Sequence, residues 1–137
     1  LKDAGLEALD PATGNVLWHT GAMPCVPSQG QSLSDCWSGT MAAAVATPGL
    51  IWLGAMDGQM RAFESSTGKI LWAYNTSRLV SSVNGVKGNG GSIPPVNATV
   101  ANGQVYVMSG YNPWSPSILS GNMMFVFGLP TGTVKDF

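Results

Sequence analysis

Leu6-Glu7-Ala8-Leu9-Asp10-Pro11-Ala12-Thr13-Gly14-Asn15-Val16-Leu17-Trp18 is matched by Met60-Arg61-Ala62-Phe63-Glu64-Ser65-Ser66-Thr67-Gly68-Lys69-Ile70-Leu71-Trp72. Ala, Thr, Gly, Leu and Trp recur at equivalent places, and Asp10 is replaced by Glu64. In each copy a short apolar run leads to an acidic residue, whose carboxylate is placed to accept amide hydrogens within the turn. Thr-Gly closes the turn, with glycine supplying a backbone conformation that other residues avoid. Val16-Leu17-Trp18 and Ile70-Leu71-Trp72 then return as the next strand, and each tryptophan offers a large apolar surface to a neighbouring unit. A weaker third copy is Phe125-Val126-Phe127-Gly128-Leu129-Pro130-Thr131-Gly132.

Working outward, repeats at blade-sized intervals with variable loops predict an all-β chain of the β-propeller class. Residues 1–20 read as the last two strands of one blade, 41–75 as a complete blade and 92–137 as an incomplete one. In the complete blade Met41 to Thr47 is the inner strand and Pro48-Gly49 a turn. Leu50 to Ala55 is the second strand, Asp57-Gly58 a hairpin turn, Gln59 to Phe63 the third strand and Lys69 to Tyr74 the fourth. In the last unit the strands are Asn97 to Ala101, Gln104 to Ser109 and Met123 to Phe127, with a long loop over Gly110 to Gly121. One whole blade and parts of two others leave strand edges and sheet faces open. The expected partner is a companion chain, or the remainder of a cleaved precursor, that completes the ring. A start at Leu1 instead of Met agrees with a processed or truncated product.

Composition narrows the function. Charged residues are only 9% against roughly 25% in an average soluble domain. With 18 Gly and 9 Pro in a chain that is 45% hydrophobic, short buried strands are favoured over helical bundles or disorder. The net charge of −1 and the lack of a basic stripe exclude nucleic acid and anionic membrane as expected partners. No apolar run approaches the roughly 20 residues that span a bilayer. Cys25 and Cys36 fall in a loop rich in Pro, Ser, Gly and Gln, where they read as a disulfide or as two free thiols. Asn75-Thr76-Ser77 and Asn97-Ala98-Thr99 fit the N-glycosylation pattern. Together with a disulfide they point to a secreted, extracellular or periplasmic protein.

The stretch Leu9 to Trp18 resembles the repeat of pyrroloquinoline-quinone (PQQ) dehydrogenase propellers. Within that superfamily the chain is similar to the carboxyl-terminal part of polyvinyl-alcohol-dehydrogenase-like proteins. Gly54 to Phe63, Val83 to Val86, Gly90 to Ile93 and Val105 to Tyr111 carry the likeness, and Pro24-Cys25 and Cys36 sit where relatives also carry a cysteine-bearing loop. The resemblance implies an eight-bladed ring, PQQ with Ca²⁺ near its axis, and oxidation of an alcohol with electrons passed to an external acceptor. It also implies a cofactor face built from the loops that join one blade's outer strand to the next blade's inner strand, here Gly21 to Thr40 and Thr76 to Ser92.

Those loops supply the candidate site residues. Arg78 has the fork that matches a quinone carboxylate, against a solvated surface arginine. Asn84 is a candidate for Ca²⁺ or a quinone oxygen, against turn formation before Gly85. Ser38, Thr40 and Ser92 are candidate donors to the cofactor, against the satisfaction of local backbone groups. Asp35 is a second candidate Ca²⁺ ligand. Asp57 reads first as a turn residue, and His19 as a partly buried blade residue. No nucleophile–base pair and no pair of carboxylates at a readable spacing is present. Two functions follow. One is part of a quinoprotein-like oxidoreductase acting on a small-molecule alcohol. The alternative is a secreted propeller homologue without catalysis, serving as a ligand-binding or protein-interaction module for an apolar ligand or a partner.

Overall fold

The computed structural model describes residues 5–28, 30–95, 98–110 and 119–128. The repeat seen in sequence is repeated in geometry. Strands β1 (Gly5–Leu9) and β2 (Val16–Gly21) form an antiparallel hairpin, as do β5 (Gln59–Glu64) and β6 (Ile70–Asn75). Both ladders shift register at the same place, between Ala8 and Leu9 and between Ala62 and Phe63. A bulge of this kind bends the strand and increases its twist. Both turns close alike: Gly14 N–H donates to the Asp10 carbonyl at 2.7 Å, and Gly68 N–H to the Glu64 carbonyl at 2.8 Å. Gly14 and Gly68 lie at φ +73° and +71°, the left-handed region that glycine enters without steric cost.

The acidic residues brace the two turns with different hydrogen bonds. Asp10 Oδ1 accepts the Ala12 amide hydrogen at 2.8 Å, whereas the Glu64 carboxylate accepts from the Thr67 hydroxyl. The Thr13 side chain also acts on Asp10, so the acid–threonine pairing is common to both turns.

Strands β3 (Val45–Thr47) and β4 (Leu50–Gly54) complete a four-stranded antiparallel sheet in the order β3-β4-β5-β6. The innermost strand is shorter than the sequence suggests. Its ladder runs from Val45↔Trp52 to Thr47↔Leu50. Before Val45 the chain turns toward the β4–β5 connection, where the Gly39 carbonyl accepts from Met56 N–H at 3.0 Å. The segment after β6 contains a small hairpin, β7 (Leu79–Ser81) with β8 (Lys87–Asn89), where the sequence reading had only a loop. Its tip is Val83-Asn84-Gly85, with Gly85 at φ +80°. The Asn-Gly pair was the signal for it.

Strands β9 (Ala98–Ala101), β10 (Gln104–Ser109) and β11 (Met123–Gly128) form a three-stranded antiparallel sheet with β10 in the middle. The third copy of the repeat continues beyond Gly128 into residues outside those described. The architecture is therefore all-β, built of antiparallel up-and-down sheets as propeller blades are.

A core joins the four-stranded sheet to the three-stranded one. Met60, Ile93, Val105 and Val107 are buried there, with Trp52, Trp72, Ala98, Val100, Phe125 and Phe127 packed against them. Trp72 meets Phe127 edge-on at 5.0 Å and Trp52 at 6.1 Å. Each fully buried aliphatic side chain contributes roughly 1.5–3 kcal/mol relative to exposure. The β1–β2 hairpin docks on the β5–β6 turn. The Trp18 indole N–H donates to the Ser65 carbonyl at 3.0 Å, and the Thr20 hydroxyl to the Gly68 carbonyl at 2.6 Å. On the same hairpin, Leu9, Val16 and Leu17 stand exposed.

Candidate functional site

The β4–β5 connection, Ala55-Met56-Asp57-Gly58, organises one end of the four-stranded sheet. It closes through Ala55 N–H to the Gln59 carbonyl and Gly58 N–H to the Ala55 carbonyl, both at 3.0 Å. Two long loops converge on it. From the cysteine loop, Val26 N–H donates to Asp57 Oδ2 at 3.1 Å, and Gly39 accepts from Met56. From the following loop, Thr76 N–H donates to the Gly58 carbonyl at 2.9 Å and Ile93 N–H to the Ala55 carbonyl at 3.1 Å. The loops singled out by sequence thus meet at one turn.

The cysteine loop is closed by the Cys25–Cys36 disulfide, with a Cα–Cα distance of 6.0 Å. Ser38 works inside this loop, its hydroxyl donating to the Met23 carbonyl at 2.8 Å. Thr40 is exposed at its end. Asp35 is exposed in a single 3-10 turn (Leu33–Asp35), where its Oδ2 accepts from the Ser32 hydroxyl at 2.5 Å.

In the second loop Arg78 is exposed, with its Cζ over the Tyr74 ring 4.8 Å from the centroid and Nη2 donating to the Tyr74 hydroxyl. Asn84 occupies the tip of the β7–β8 hairpin, away from Arg78 at its base. Its Oδ1 accepts from Val86 N–H at 3.3 Å and from the Ser82 hydroxyl. Ser92 is fully buried, its hydroxyl donating to the Met56 carbonyl and accepting from Leu119 N–H at 2.9 Å. Asn75 Oδ1 accepts from Ser77 N–H at 2.8 Å, and Asn97 lies outside the described residues. His19 is an exposed cross-strand partner of Glu7 at 2.9 Å.

Two features were not singled out from sequence. The first is a relay of hydroxyls between the sheets. Gly91 N–H donates to Ser109 Oγ at 2.9 Å, Ser109 to Thr76 Oγ1 at 2.8 Å, and Thr76 to the Gly58 carbonyl at 2.8 Å. Thr76 and Ser109 are buried. The second is a buried polar group on β5. Asp57 accepts from Gln59 N–H at 3.1 Å through Oδ1 and from Arg61 Nη2 at 3.3 Å through Oδ2. A charged residue inside the apolar stretch Met60-Arg61-Ala62-Phe63, four positions after an Asp, was the available signal.

PQQ and Ca²⁺ make definite demands on the groups that hold them. A quinone carboxylate needs free donors, and a calcium ion needs several oxygens at one point. The Ser38 and Ser92 hydroxyls serve backbone groups, Asn84 is tied into its own turn, and Arg78 lies on Tyr74. Among the described residues no group of three or more His, Cys, Asp or Glu side chains is placed to hold a metal ion. Ser38, Ser92, Asn84 and Arg78 are therefore not free to hold PQQ, and these residues do not by themselves fit either group.

Comparison with known proteins gives the family. The family model described as outer membrane protein assembly factor BamB, built on the PQQ repeat, matches residues 2–126. The chain is 38% identical over 110 residues to a polyvinylalcohol dehydrogenase of Sphingopyxis sp. (strain 113P3), covering 78% of this chain and 16% of the relative. It is 37% identical over 108 residues to a polyvinylalcohol dehydrogenase of Pseudomonas sp., covering 78% and 17%. A quinoprotein ethanol dehydrogenase of Pseudomonas aeruginosa is 33% identical over 72 residues, covering 52% and 9%. The chain thus spans about a sixth of the length of the first two relatives. The shared repeat, the antiparallel sheets and these matches place the chain in the PQQ-repeat β-propeller family, as a relative of the polyvinyl-alcohol and quinoprotein alcohol dehydrogenase sequences.

Proposed function

We propose that this chain is a non-catalytic segment of a PQQ-repeat propeller, supplying blades and an interaction face to an extracytoplasmic protein. The observation that carries this reading is the state of the candidate polar groups. Ser92, the most deeply placed of them, spends its hydroxyl on the Met56 carbonyl and Leu119 N–H, tying the β4–β5 turn to the segment before β11. Ser38, Asn84 and Asp35 hold turns and loops in shape, and Arg78 is engaged by Tyr74. Exposed Leu33, Trp37 and Met41 in the cysteine loop and Leu79, Val83 and Val86 in the β7–β8 hairpin give this end an apolar surface for a ligand or partner. The disulfide supports an oxidising compartment. In this reading the open faces of the β1–β2 hairpin are covered by the other blades of the ring, from the same precursor or from a companion chain.

The test is dye-linked oxidation of small alcohols by the purified protein after addition of PQQ and Ca²⁺. Rates should equal those without PQQ. A PQQ-dependent rate, or quinone absorbance that co-purifies with the protein, overturns the reading.

The second reading is a quinoprotein alcohol dehydrogenase in which this chain is one sector of an eight-bladed ring. It is favoured by the 38% identity to a polyvinylalcohol dehydrogenase. In that case the groups that hold PQQ and Ca²⁺ and carry the reaction come mainly from other blades.

A further inference from the structure

Gln59 and Arg61 stand two residues apart on β5, so their side chains leave the strand on one face, opposite Met60 and Ala62. They are only 6% and 5% exposed. Asp57 uses its carboxylate on three donors already: Gln59 N–H, Val26 N–H and one arm of Arg61. Arg61 Nη1 and the Gln59 side-chain nitrogen Nε2 remain, both buried and without a hydrogen-bond partner. Buried donors are nearly always paired in folded proteins. Here two unfilled donors share one face of one strand, and one belongs to a guanidinium whose planar fork suits a two-oxygen acceptor.

We infer that Arg61 Nη1 and Gln59 Nε2 form a binding site for a carboxylate, one donor to each oxygen. Both groups donate, so the partner must present two acceptor oxygens, which a carboxylate does. Asp57 holds the guanidinium in place by its other arm and orients the free one. The Cys25–Cys36 loop reaches the same carboxylate through Val26, so the disulfide keeps a cover over this side of the pair. The carboxylate is that of a small aliphatic acid, or of an Asp or Glu side chain from a segment packed on this face. The inference stands whether or not the propeller is catalytic.

The test follows the Gln59 side-chain amide and the Arg61 guanidinium by nitrogen-resolved NMR on the intact protein. Sodium acetate is titrated against sodium chloride at matched ionic strength. For a free acid site both signals move saturably with acetate and not with chloride. Gln59→Met keeps the fold and weakens acetate binding roughly tenfold, the loss expected for one hydrogen bond to a charged group. For a side-chain source acetate has no effect, and the Gln59 amide protons show contacts to Asp or Glu methylene protons. Equal responses to chloride and acetate, or contacts from both donors to bound water alone, overturn the inference. Unfolding midpoints of Gln59→Met and the parent protein, measured without acetate, keep a failed fold from being read as lost binding.

Discussion

Trp18 donates its indole N–H to the Ser65 carbonyl across the seam between the first hairpin and the four-stranded sheet, at 3.0 Å. The tryptophan is half-buried, so its stabilisation combines this bond with the ring surface laid on the Gly68 turn. Trp18→Phe should lower unfolding stability by about 1 kcal/mol, the net value of one hydrogen bond. Trp18→Ala should cost roughly 3 kcal/mol, through the lost ring. Urea denaturation of both variants measures the difference.

Gly68 sits under that ring. A Cβ at this position would lie 2.4 Å from Trp18 Cε3 and 2.5 Å from Thr20 Oγ1, while a Cβ at Gly14 meets nothing within 4 Å. Both glycines have the same positive φ. Gly14→Ala therefore carries only the backbone penalty, about 1 kcal/mol. Gly68→Ala should cost at least about 1 kcal/mol more, as overpacking does. Equal losses in thermal unfolding would show that the hairpin does not dock on the Gly68 turn.

Ser109→Ala should break the relay from Gly91 N–H to Thr76 and leave a buried amide unsatisfied. The expected cost is about 1–3 kcal/mol. Hydrogen exchange should rise at the Gly91 amide before it rises in the strands. Unchanged protection of that amide would count against the relay.

Reduction of Cys25–Cys36, or their joint replacement by serine, opens a loop whose ends are eleven positions apart. Stability should fall by about 2–3 kcal/mol. The Val26 and Met56 amides, which bond to Asp57 and Gly39, should lose exchange protection first. Hydrogen-exchange mass spectrometry with and without reductant reads this directly.

Asp10 has a pKa held below the usual carboxylate value, first by the Ala12 amide hydrogen and then by the Thr13 side chain. A depressed folded pKa means that the carboxylate form supports the native turn. This contribution is present above the unfolded pKa, about 3.9, and is lost as pH falls through the lower folded value. An NMR titration should place the Asp10 midpoint below that of a model peptide, and Asp10→Asn should remove the corresponding acid-side dependence. A midpoint at or above the peptide value would contradict the turn geometry.

The sequence by itself determined the repeating hairpin, its Gly68-type turn, the returning tryptophan and the strand order. These depend on local periodicity and on backbone conformations that few residues accept, which neighbouring positions report faithfully. It also marked a turn at Asn84-Gly85, but the strands on either side were too short and polar to read as β7 and β8. Only the tertiary structure decided what the polar side chains do. Ser109 reaches Thr76 across 33 positions and Val26 reaches Asp57 across 31. Such contacts depend on how sheets stack and loops fold back, which no local pattern encodes. Arg61 pairs with Asp57 only four positions away, but its burial, with one arm open, is decided by the packing around β5.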